Sequence, residues 1–214
     1  MAAVDLRPIP VACQPARRLP QLFAGLALYG ASMAMQIRSG LGLNPWDVLH
    51  EGLTEQTPLS FGVITAITGA VVLLLWIPLR QRPGIGTVLN VVIIGLVVDA
   101  TLALLPHLEA LAPRVAAMVA GVVLMGVGSG LYIGAGLGAG PRDGLMTGVA
   151  ARGHTVRSVR TALEVTVLAL GWALGGTVGV GTVVLALAIG PLVQLCLDRL
   201  GLPAPEPAGE PVAR

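Results

Sequence analysis

Lysine is absent from this 214-residue chain: all 13 basic residues are arginine, set against only 11 acidic ones. Charged residues make up 11% of the chain, where roughly 25% is ordinary for a soluble domain. That scarcity excludes a soluble globular class. A net charge of +2 provides no general positive field, so nucleic acid is excluded as a partner. Cysteine is equally sparse. Cys13 and Cys196 stand too far apart for a disulfide framework or a metal-ligand spacing. Cys13 is not a lipidated start residue either, because no apolar stretch precedes it. His50, Glu51 and Asp47 invite a metal reading, but the matching positions of a second copy, described below, hold Met146 and Thr147. No metal or other cofactor is therefore expected. No nucleophile–histidine constellation stands out, so the chain is not expected to be an enzyme.

Long apolar stretches are what the chain does have. Hydrophobic residues make up 55% of it and the mean hydropathy is +0.84. Runs of about 20 residues recur, each enough to cross ~30 Å of hydrocarbon. They are continuous instead of alternating, which excludes a membrane β-barrel. The pattern predicts an all-α membrane protein with six transmembrane helices, over 20–38, 59–79, 85–105, 114–135, 158–177 and 181–200. Residues 1–19 read as a disordered basic tail and 202–214 as a second disordered tail. A cleaved signal peptide fits the first span poorly, since a proline-bearing lead precedes it. Residues 106–113 form a connector between Pro106 and Pro113.

One stretch occurs twice. Gly40 to Leu49 and Gly136 to Leu145 share six of ten residues, with Pro45 and Asp47 falling on Pro141 and Asp143, 96 residues later. The match extends further: Gly84-Ile-Gly-Thr-Val aligns with Gly179-Val-Gly-Thr-Val, and Ala24-Gly25 with Ala120-Gly121. The chain thus divides into a three-helix repeat over 20–105 and a second over 114–201. Because each holds an odd number of spans, the second must enter the bilayer from the opposite side, giving inverted repeats. Arginine placement agrees. With the N-terminus inside, inner segments hold eleven arginines and outer segments only Arg38 and Arg114. Both termini are therefore expected in the cytoplasm of a bacterial inner membrane.

Each motif reads as irregular backbone followed by a short half-helix. Gly40, Gly42 and Pro45, with Gly136, Gly138 and Pro141, form the hinge and the helix start. Such backbone survives at membrane depth only where protein or a wet cavity satisfies it. A helix N-terminus suits an anionic group. Asn44, Asp47 and Asp143 either cap these helices or turn into a cavity to hold a solute, a cation or a proton. Asp99 falls on Gln194 across the repeat, so both are candidates to face the interior. Glu164 is accounted for by Arg160 one helical turn away.

The paired Gly-x-Gly-x-x-Pro-x-Asp elements, Gly40 to Asp47 and Gly136 to Asp143, resemble the YczE/YitT-type family of small bacterial integral membrane proteins, and its YczE-like branch most. The resemblance implies an inner-membrane protein of this size and implies no substrate. Gly140 replaces Asn44 in the second copy, so the two copies need not have equal roles. The expected function is a small-solute transporter or permease with its site between the repeats. The alternatives are a non-transporting membrane partner or regulatory subunit, or the substrate-binding subunit of an energy-coupling transporter. Rows of glycine at four-residue spacing (Gly126, Gly130 and Gly134; Gly171 and Gly175) are expected to dock a homodimer partner or another membrane subunit.

Overall fold

The computed structural model describes residues 8–202, which form eight α-helices and no strand. They are α1 (Pro15–Ser39), α2 (Pro45–Glu55), α3 (Phe61–Leu79), α4 (Ile85–Leu104), α5 (Leu111–Gly134), α6 (Pro141–Ala150), α7 (Val156–Ala173) and α8 (Val180–Leu200). Six coincide with the expected spans to within a few residues, and α2 and α6 are the two short helices expected after the motifs. Four of them, α3, α4, α5 and α8, are long and apolar enough to cross a membrane. The N-terminal segment is more ordered than its proline content suggested. Pro15 starts α1, and Ile9 N–H donates to Gly136 O at 2.9 Å. A proline at the first helical position costs nothing, because its missing N–H has no partner there. The connector is likewise shorter, since α5 begins at Leu111. Residues 203–214, the expected C-terminal tail, lie outside the described residues, as do residues 1–7.

The centre of the bundle is the crossing of α1 and α5, flanked by α4 and α8. Leu22, Leu26, Met33, Met118, Met125, Val98 and Leu185 fill it. Around it the short helices pack crosswise: α2 lies on α7 and α6 lies on α3. The α5 glycine row is used inside the chain. A β-carbon on Gly126 or Gly130 would strike Leu192 or Cys196 of α8, and Gly171 sits against the backbone of Leu49. These faces, expected to dock another subunit, are occupied by the protein's own helices.

The third and fourth helices of the two halves pack differently. α3 and α4 lie along one another, so close that a β-carbon on Gly62 would collide with Gly95 O. Between α7 and α8 no comparable packing exists among the described residues. Continuing the 96-residue offset through Thr65-Ala66 and Thr161-Ala162 to Trp76 and Trp172 places Ser158 at Gly62, Arg160 at Ile64, Glu164 at Thr68 and Val165 at Gly69. Larger and charged side chains thus replace the residues that let α3 approach α4. Gly190, the counterpart of Gly95, would meet nothing within 4 Å. Trp76 is buried while Trp172 is 69% exposed.

Candidate functional site

Both motifs break the chain as their glycines dictate. Gly42 has φ +117° and Gly138 has φ +135°, a region that side chains other than glycine rarely enter. Each loop is received by the other half. Gly181 N–H donates to Leu41 O at 2.8 Å, and Gly86 N–H donates to Leu137 O at 2.9 Å. The Gly-x-Gly-Thr blocks matched in the sequence are thus the cradles for the two motifs, exchanged between halves. Two arginines 96 residues apart complete the arrangement. Arg114 donates to Ser39 O and Gly40 O at the end of α1, and Arg18 donates to Ala135 O at the end of α5. A guanidinium suits carbonyls left without helical partners.

The helix starts differ where the sequence does. Asn44 accepts from the N–H groups of Trp46 and Asp47, closing the N-terminus of α2. Its amide also donates to the Asp47 carboxylate, which is fully buried and lies 3.4 Å from His50 Nδ1. Gly140 has no side chain to offer, so α6 starts without such a cap. Trp76 Nε1–H instead donates to Pro141 O at 2.9 Å, holding the start of α6 against α3.

The two helix starts meet in one cavity of about 320 Å³. Asn44, Pro45 and Trp46 line one side, and Arg142, Asp143 and Met146 another. Tyr29, Tyr132 and Asn90 form its polar wall, while α7 contributes Arg160 and Glu164 and α8 contributes Leu185 to Gln194. Arg142 occupies the junction. Its guanidinium donates to Tyr29 Oη at 2.6 Å and Asn44 Oδ1 at 3.5 Å, and lies 5.9 and 5.8 Å from the Tyr29 and Trp46 rings. Cations are attracted to such ring faces. Tyr132 Oη–H donates to Asp143 Oδ2 at 3.1 Å, and the two tyrosines meet edge to face. Arg142 and Asp143 form no ion pair within 4.0 Å among the described residues.

Of the residues singled out from sequence, Asn44, Asp143 and Gln194 line the cavity and Asp47 lies directly behind Asn44. Asp99 does not join them. It accepts from Ser60 Oγ–H and Gly62 N–H, tying the start of α3 to α4. Gln194 donates to Asp198 Oδ1 one turn on. Sequence reasoning missed Arg142, counting it with the inner-loop arginines, and missed Tyr29 and Trp46. The signal was present: Arg142 stands where the first motif has Trp46, so the repeat places a cation and an aromatic face at equivalent positions. Among the described residues no cluster of three metal-ligating side chains occurs.

A family model described as a family of unknown function, DUF6198, matches residues 16–198. An uncharacterized protein of Haemophilus influenzae is 42% identical over 178 residues, 83% of this chain and 81% of that protein. An uncharacterized membrane protein of Bacillus subtilis, YczE, is 37% identical over 181 residues, 83% of this chain and 84% of its own. A second Bacillus subtilis protein, YyaS, is 24% identical over 176 residues, 80% of this chain and 88% of its own. No solved structure matches the chain.

Proposed function

Because the chain belongs to the YczE-like DUF6198 family of membrane proteins, we propose that it carries a small solute across a bacterial inner membrane through the cavity between its motif helices. In this reading α1, α3, α4, α5, α7 and α8 are the six spans, arranged as two inverted triplets with both termini cytoplasmic. α2 and α6 are re-entrant half-helices. At 11 and 10 residues each reaches about 15 Å, half the ~30 Å of hydrocarbon. Two half-helices entering from opposite faces therefore meet near the midplane, the usual place for a transporter's binding site. α7 carries Arg157, Arg160 and Glu164 and is less apolar than α3, α4, α5 and α8. It spans with Arg160 and Glu164 toward the cavity, which lowers the desolvation cost of those two residues.

The observation that carries this reading is Arg142, a cation in a cavity bounded by two helix starts and without an ion pair among the described residues. A purely structural arginine at such depth would be expected to have a carboxylate partner. The two halves would rock about the α1–α5 crossing, with the cradled motif loops as the points that hold register. Reconstitution into vesicles tests the proposal, using radiolabelled panels of small carboxylates, amines and amino acids. Saturable uptake that Arg142→Gln abolishes supports it. Vesicles that pass none of these solutes above the protein-free rate would contradict it.

A further inference from the structure

Two opposite charges side by side, neither with an ion pair among the described residues, define what the cavity would hold. Arg142 and Asp143 are adjacent in α6, and adjacent helical residues point about 100° apart instead of toward one another. They are not paired within 4.0 Å, yet both line the cavity, because it wraps the start of α6. Their hydrogen-bond partners are neutral: Arg142 is held by a tyrosine hydroxyl and an amide oxygen, and Asp143 by a tyrosine hydroxyl. The other charged residues on the wall, Arg160 and Glu164, are paired with each other at 2.8 Å. Asp47 is engaged behind Asn44 by the amide and by His50.

We propose that the cavity is a binding site for a small zwitterion of the aminocarboxylate class, its carboxylate on Arg142 and its ammonium on Asp143. This deepens the transport reading and rests on it for the site's purpose. A lone anion would satisfy Arg142 but would leave Asp143 beside it without a countercharge. A lone cation would satisfy Asp143 and be repelled by Arg142. A zwitterion leaves neither charge unanswered at a single desolvation step. The guanidinium offers a planar fork that matches a carboxylate. The uncapped start of α6 adds unpaired N–H groups and a positive helix end on the same side. The faces of Trp46 and Tyr29 accommodate an ammonium or the solute's carbon skeleton. A volume of about 320 Å³ lies at the small end of ligand pockets, which favours an α- or β-amino acid or a compact betaine over a peptide.

Equilibrium binding separates this proposal from the question of transport. The purified protein in nanodiscs is titrated with glycine, alanine, β-alanine and glycine betaine, and with acetate, propionate and ethylamine as single-charge controls, while its thermal unfolding midpoint is followed. At least one zwitterion is expected to raise the midpoint saturably, and no control to do so at tenfold higher concentration. Arg142→Gln and Asp143→Asn are each expected to weaken that zwitterion at least tenfold. Tyr132→Phe, which removes only the hydroxyl held by Asp143, provides a milder variant and is expected to weaken it severalfold. A single-charge control binding as tightly as the zwitterion, or no zwitterion binding at all, would overturn the proposal. Zwitterion binding without vesicle uptake would uphold this site and count against transport. Saturable flux indifferent to both α6 substitutions would uphold transport and reject this site.

Discussion

The α3–α4 pair and the α7–α8 pair align in sequence at a 95–96-residue offset and pack in opposite ways. In the first, Gly62 and Gly95 let the two helices meet at backbone distance, and Asp99 ties the start of α3 to α4. In the second, Ser158 and Val165 stand in place of glycines, Arg160 and Glu164 replace Ile64 and Thr68, and Gly190 faces open space. α8 also carries Pro191 within the helix where α4 has Leu96, removing one backbone hydrogen bond beside Gly190. The difference follows from the side chains: one half keeps its small-residue contact and acts as a wall. The other exchanges it for charge and opens.

Substitutions at two contrasting glycines give the largest expected difference. Gly62→Leu drives a side chain into the Gly95 carbonyl and is expected to cost about 3 kcal/mol or more, read as a lost or sharply lowered thermal unfolding midpoint in detergent. Gly190→Leu meets no neighbour and is expected to leave the midpoint nearly unchanged while filling the cavity, so ligand binding is lost without unfolding. Equal destabilisation by both would remove the distinction between the halves.

The two arginine clamps sharpen the comparison at the helix ends. Arg18 is fully buried, whereas Arg114 is partly exposed. Charged hydrogen bonds contribute about 1.5–3 kcal/mol, so Arg18→Met is expected near the top of that range and Arg114→Met well below it, both from denaturant or thermal unfolding. The reverse order would show that the clamp on the α5 end is the dispensable one.

The helix starts provide the smallest effect. Gly140→Asn gives α6 the cap that α2 already has and is expected to stabilise by only a few tenths of a kcal/mol, while competing for the donors at the cavity and weakening ligand binding. Asn44→Gly is expected to cost only a few tenths of a kcal/mol through the cap itself. Tighter ligand binding by the Gly140→Asn variant would place the ligand away from the α6 start.

Much of the architecture was legible in the sequence because apolar run length and proline placement fix where helices fit a bilayer. The doubled Gly-x-Gly-x-x-Pro-x-Asp element located both broken segments, and the Gly-x-Gly-Thr blocks proved to be the surfaces that receive them. The site was only half legible. Asp143 and Asn44 were found through the motif, whereas Arg142 was hidden by a loop count that treats every arginine between spans as a topology signal. α6 defeats that count, since Arg142 lies on the cavity wall at a helix start instead of in a surface loop. Asp99 misled for a related reason: matching it to Gln194 assumed that equivalent positions keep equivalent environments. α3 closes on α4 and α7 does not close on α8, so one residue became a tether and the other a cavity wall. The glycine rows misled in the same way, because spacing alone does not say whether the approaching helix belongs to the same chain.

Paired cysteine labelling tests the central asymmetry most directly. Val98 is fully buried in the core, and its counterpart Val193 lines the cavity; cysteine fits at either position with little change in volume. In a background with Cys13 and Cys196 replaced, Val193→Cys is expected to react rapidly with a small water-soluble thiol reagent. Val98→Cys is expected to resist it until the protein unfolds. Equal rates at the two positions, or faster labelling at 98, would contradict the account.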